Sequence, residues 1–226
     1  MSSPLMTRTR ILALFPPLAA VLLLVGEALT PKGLDHPISM ARVVKELPIA
    51  VAHSDRLYLS NLLVIFGLGA LGVSFAAFAV LVRERGSTIA TVAAVVGGLA
   101  GFCGGLANVL VGYDLAAAAT AHTNPSPAEQ ILVSANRGRA FDVVFVGYLG
   151  GLVVATILTT VALWRSRAVP RWLPVLFVLG MVLGALAPAG IVSIPLQLPI
   201  TVALTALAIR IWRTTTPPGG QTQTSG

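Results

Sequence analysis

Two carboxylic acids fall where a carboxylate is expensive. Glu27 closes an uncharged run, Ile11–Gly26, and Asp142 stands one residue inside another that begins at Phe141. A charged group within a membrane span is costly and usually faces the bundle interior or water. Glu27 therefore carries two readings. It is either a proton donor for acid–base chemistry, or a helix-end carboxylate in the headgroup zone paired with Lys32 or Arg56. Asp142 is either a second acid or a carboxylate held at a helix N-terminus by the dipole. Asn61, Asn108, Tyr113, Asp114 and Gln197 are the polar residues placed to line a pocket beside them. Asn108 lies deepest and suits hydrogen bonding between helices, or contact with a substrate.

Other chemistries find less support. Asp35-His36, His53-x-Asp55 and His122 lie in polar segments without H-E-x-x-H or Cys/His ligand spacing, so neither metal nor cofactor is expected. Ser193 has neither a G-x-S-x-G elbow nor a His nearby in the chain. Cys103, the single cysteine, cannot form an internal disulfide and sits in a glycine row as a packing residue. Gly67-Leu68-Gly69-Ala70-Leu71-Gly72 matches the dinucleotide string G-x-G-x-x-G, but no strand precedes it and it falls in mid-span. Helix packing accounts for it better.

The elements that must hold these residues are membrane helices. Only 10% of the 226 residues are charged while 56% are hydrophobic, which excludes an ordinary soluble domain. Six spans are expected, near 11–30, 57–82, 88–113, 141–164, 172–187 and 194–212. Segments 31–56 and 114–140 are external loops, and a disordered tail follows from residue 214. The first span reads as an uncleaved helix rather than a signal peptide, since no clean cleavage site follows it. Pro16 and Pro17 should kink it. Ile38–Leu47 could lie as an amphipathic interfacial helix. Ser126 and Glu129 have capping-box spacing around Pro127.

The third span has an unusual face. Ala93, Gly97, Gly101 and Gly105 stack on one side, with Gly104, Asn108 and Gly112 in a second row. Small residues at this spacing let backbones approach closely, and this helix is expected at the centre of the bundle. Gly147, Gly151 and Ala155 form a similar row in the fourth span, and Gly180 and Gly184 a shorter one in the fifth.

Arginine sets the orientation. With the N-terminus inside, nine Lys and Arg residues fall on cytoplasmic segments and six outside, the inside ones flanking short turns. The net charge of +7 is thus explained without nucleic acid. Both termini are cytoplasmic in this topology, and Glu27, Asn61, Asn108, Asp142 and Gln197 gather in the outer third. The inner half holds only small hydroxyls such as Ser74, Thr91, Thr159 and Thr205, which can bond back to their own helices. A polar vestibule over a closed apolar plug follows. Thirteen Arg against two Lys, with an Ala/Gly/Val bias, points to a GC-rich bacterial genome and hence to a bacterial plasma membrane.

The Arg-flanked first helix, the run Ala52-His53-Ser54-Asp55-Arg56-Leu57, the turn Arg83-Glu84-Arg85-Gly86 and Val169-Pro170-Arg171-Trp172 together resemble a broad group of small six-span bacterial membrane proteins. The resemblance spans most of the chain and implies a fold and a location but no activity. A more distant likeness is to membrane-bound terpene cyclases, helical bundles whose buried acids protonate an isoprenoid. Those usually have seven spans, and no acidic motif matches residue by residue, so no site residue is carried over. Three functions remain open: a small-molecule-binding or accessory bundle, a membrane-embedded cyclase or isomerase acting on a lipophilic substrate, and a small transporter subunit. The lipid bilayer is the expected partner in each.

Overall fold

The computed structural model describes residues 4–31, 34, 48–82, 86–110, 139–186 and 190–215. The described chain is helical: α1 (Pro4–Leu12), α2 (Phe15–Leu29), α3 (Ser54–Ala79), α4 (Ser87–Asn108), α5 (Arg139–Ser166), α6 (Trp172–Leu186) and α7 (Ile194–Thr215), with a 3-10 turn over Ile191–Ser193 before α7. Apolar runs bounded by arginine fix these limits, and they fall within a few residues of the expected spans. Pro16 and Pro17 occupy the first positions of α2, and the chain breaks into a turn just before them. This is the expected kink, because proline cannot donate to the preceding turn.

Five helical stretches are long and apolar enough to cross a bilayer: Thr7–Leu29, α3, α4, Val143–Ser166 and Ile191–Thr214. The sixth apolar helix, α6, has 15 residues. At 1.5 Å per residue it is about 22 Å long, short of a hydrocarbon core about 30 Å thick. The chain is therefore an all-α, multi-span helical bundle.

Helix neighbours close a ring in chain order: α2 on α3, α3 on α4, α4 on α5, α5 on α6, α6 on α7, and α7 back on α2. The centre is α3, not α4 as the glycine rows suggested. In α3, 56% of the most apolar window is buried, against 39% in α4. Val95, Leu99 and Phe102 of α4 are exposed, on a face open to lipid. Glycine marks where two backbones meet, not how many neighbours a helix has.

The close approaches themselves fall where the rows predict. A Cβ on Gly101 would lie 2.6 Å from the Leu68 carbonyl oxygen and 2.8 Å from Gly72 Cα, so α3 and α4 cross glycine on glycine. Gly97 of the same row receives the Phe75 ring. Of the dinucleotide-like string, Gly67 admits Leu23 of α2, Gly72 admits α4 and Gly69 faces open space, which is helix packing. Gly147 and Gly151 of α5 meet Cys103 and Ala100 of α4. Gly180 sits against the backbone of Ile200, whereas Gly184 meets nothing.

The two ends of the bundle differ. At the end holding the start of α2 and the end of α7, Phe75, Phe78 and Phe177 form three mutual edge-to-face contacts with centroids 5.7–6.2 Å apart. Leu163, Leu173, Leu204, Leu207 and Ile211 pack into the same buried cluster. Edge-to-face aromatic pairs contribute about 0.5–1.5 kcal/mol each beyond their area, so this end is a rigid apolar plug. Ser74, Thr91 and Thr205 bond back to the carbonyls of Ala70, Ser87 and Thr201 as expected. Thr159 departs from the pattern: its buried hydroxyl has no partner among the described residues. Arg10 lies over Trp212 and Arg171 over Trp164, 5.6 and 5.8 Å from the ring centroids.

Candidate functional site

The opposite end, where α2 finishes and α3 begins, is called the mouth. Here the C-terminus of α2 is fastened to α3 by side chains. Gly26 packs so closely that an added Cβ would lie 2.8 Å from Val64 Cγ2 and 3.2 Å from the Ser60 carbonyl oxygen. At that separation Ser60 Oγ donates to the Gly26 carbonyl at 2.9 Å and sits 2.7 Å from Thr30 Oγ1. Arg56 donates Nε to the Leu29 carbonyl at 2.6 Å and Nη2 to the Ala28 carbonyl at 3.0 Å. The last carbonyls of a helix lack intrahelical donors and carry its negative dipole end. A guanidinium answers both needs. Arg56, offered above as a partner for Glu27, thus spends two of its donors on the α2 backbone instead. Lys32, the other offered partner, lies outside the described residues.

Glu27 is half-buried in this fastened last turn of α2. Tyr148 of α5 packs at Gly104 of α4. A Cβ there would stand 2.6 Å from Tyr148 Cδ2 and 3.1 Å from Leu68 Cδ1, so the ring crosses α4 over the glycine and reaches α3. Asn61 lies seven residues before Leu68, on the same face of α3 and nearer the mouth. Its side chain is buried, and its Nδ2 has no hydrogen-bond partner among the described residues. Gln197 is buried one turn into α7, and Ser193, in the 3-10 turn before it, is fully buried, its Oγ without a partner among the described residues. Gly190 launches that turn at φ 90° and ψ −169°, a conformation essentially reserved for glycine.

The structure thus lays Tyr148 over Gly104 and against α3, with Asn61 on the same face of that helix. Asn108 Nδ2 donates to the Gly104 carbonyl of its own helix at 3.0 Å, a bond one turn back along α4. Asp142 lies in the first turns of α5, with its side chain outside the described part. Tyr113, Asp114, His36, His122, the Ile38–Leu47 segment, the Ser126–Glu129 box and the tail from residue 216 lie outside the described residues. Among the described residues no three His, Cys, Asp or Glu side chains are grouped to hold a metal. Cys103 packs near Gly147.

Tyr148 was not singled out from the sequence. The signal was present: of three tyrosines, Tyr58 and Tyr113 lie at span ends and Tyr148 alone falls well inside an apolar run. A carboxyl group and a phenol can each exchange or share a proton with a ligand, and a buried amide N–H can donate to one. No protein-family model matches the chain, and no curated protein or solved structure does either.

Proposed function

We propose that the chain is a six-span protein of the bacterial plasma membrane that binds a small lipophilic molecule in its extracytoplasmic half. Counting α6 with the five longer helices gives six crossings and puts both termini on one side. Arg8, Arg10, Arg165, Arg167, Arg171, Arg210 and Arg213 all lie at the plugged end, which the positive-inside rule assigns to the cytoplasm. The mouth is then outward. The observation that carries the binding reading is the buried, unpartnered Nδ2 of Asn61. Leaving such a donor unmade costs about 1–3 kcal/mol, and a ligand acceptor is one way to recover it.

A second reading, a cyclase or isomerase working by acid–base transfer, draws on Glu27, a half-buried carboxyl group in the last turn of α2. One experiment separates the two. The full chain, its Asn61→Leu variant and its Glu27→Gln variant are purified from native membranes, and the organic extract of each is analysed by mass spectrometry. The binding reading expects a lipophilic molecule retained by the parent and depleted from both variants at equal expression. The enzyme reading expects Glu27→Gln to retain a molecule isomeric with the one held by the parent. Identical extracts from all three proteins contradict both.

A further inference from the structure

A second feature lies above the Glu27 layer and does not depend on it. Between the end of α2, the start of α3 and the turn before α7 is a cavity of about 400 Å³, lined by Thr30, Pro31, His53, Arg56 and Ile191. Its polar lining consists mainly of donors. A guanidinium has five N–H groups. Arg56 gives one from Nε and one from Nη2 to the α2 carbonyls. These bonds fix its plane and leave three N–H groups without a partner among the described residues. His53 is the N-cap residue of α3, and its side chain makes no capping bond. The first amides of α3 therefore lack that acceptor, and their positive dipole end adds to the charge of Arg56. Thr30 offers little beyond lone pairs, because its hydroxyl is engaged with Ser60 and the Gly26 carbonyl. Asp55, exposed in the first turn of α3, and Glu27, one turn before Thr30, are the described carboxylates nearby in sequence, and neither is on the cavity wall.

The remaining wall is apolar and faces outward. Ile191 is 58% exposed and Val192 beside it 56%. A pinned guanidinium with free N–H groups suits a phosphate oxygen pair, and an exposed aliphatic wall beside it suits an acyl chain. We propose that this cavity binds a phosphate-type anion carried as the headgroup of a membrane amphiphile, with its chain along Ile191 and Val192. The site sits at the ends of two spanning helices, at the depth of lipid headgroups.

The test is native mass spectrometry of the full chain in a neutral detergent. It is titrated with phosphatidylglycerol, with phosphatidylcholine of the same acyl chains, and with inorganic phosphate. The parent is expected to bind the anionic lipid about tenfold more tightly than the zwitterionic one. Arg56→Gln should abolish that preference, but it also removes the cap on α2. Ile191→Glu is the cleaner variant: it sets a carboxylate on the exposed wall, leaves Arg56 in place and should abolish the preference equally. Binding of inorganic phosphate without lipid preference, lost in Ile191→Glu, keeps the anion site and assigns it to the free ion. No preference and no phosphate binding by the parent, or a preference that survives in both variants, overturns the proposal.

Discussion

Asn61 is the residue that folding alone explains least. A packed helix has every reason to place leucine at a buried position on its most enclosed face, yet an amide stands there with its donor unmade. If the amide serves a ligand, Asn61→Leu should leave the empty protein as stable as its parent or raise its stability by about 1 kcal/mol. Thermal unfolding in detergent measures this. A loss greater than that amount would show that the amide holds the fold together. Gly104 is the complementary case. Gly104→Ala sets a methyl 2.6 Å from Tyr148 Cδ2, and the ring must swing away. The expected cost is about 1–3 kcal/mol, typical of overpacking. The Tyr148 phenol should also become more exposed, visible as lost protection of the phenol from chemical modification. A fully stable variant with unchanged Tyr148 reactivity contradicts this placement. These residues were legible to different degrees. Glu27 and Asn61 stand out in sequence because polar groups are rare in apolar runs. The pairing of Tyr148 with Gly104 does not, because it joins two helices and neither residue alone implies the other. Asn108 has a local competitor that the sequence also offers: its own i−4 carbonyl takes the amide N–H.

At the level of helices, the glycine rows predict contact and say little about position. Gly101 and Gly98 of α4 are three residues apart, yet a Cβ on the first meets the α3 backbone and on the second meets nothing. Backbone cannot turn aside as a side chain can. Gly101→Ala is therefore expected to destabilise by about 3 kcal/mol, the upper part of the overpacking range. Gly98→Ala should be neutral or stabilise by up to about 1 kcal/mol, through helix propensity alone. Denaturant titration of the two variants in one detergent checks the pair, and equal effects would contradict the α3–α4 crossing. The limits of the helices were readable because arginine and proline punctuate the apolar runs. The central place of α3 was not. Its neighbours α2 and α4 meet it through Gly26, Gly67, Gly72 and Gly101, and only the folded arrangement reveals that these four contacts converge on one helix.

For the whole molecule, a plug of three phenylalanines at the arginine-rich end and a polar layer at the mouth make the bundle asymmetric along its axis. Orientation follows from charge: a reporter enzyme active only outside the cytoplasm should be silent when fused after Thr215 and active when inserted in the 35–47 segment. The reverse pattern would invert the topology. The most direct test of the account is cysteine accessibility in a Cys103→Ala background, with a membrane-impermeant thiol reagent supplied from the mouth side. Glu27→Cys, Asn108→Cys and Tyr148→Cys are expected to label several-fold faster than Phe75→Cys in the plug and than the lipid-facing Leu99→Cys and Val153→Cys. Labelling at 27, 108 and 148 no faster than at 99 and 153 would contradict a polar pocket in this half of the bundle.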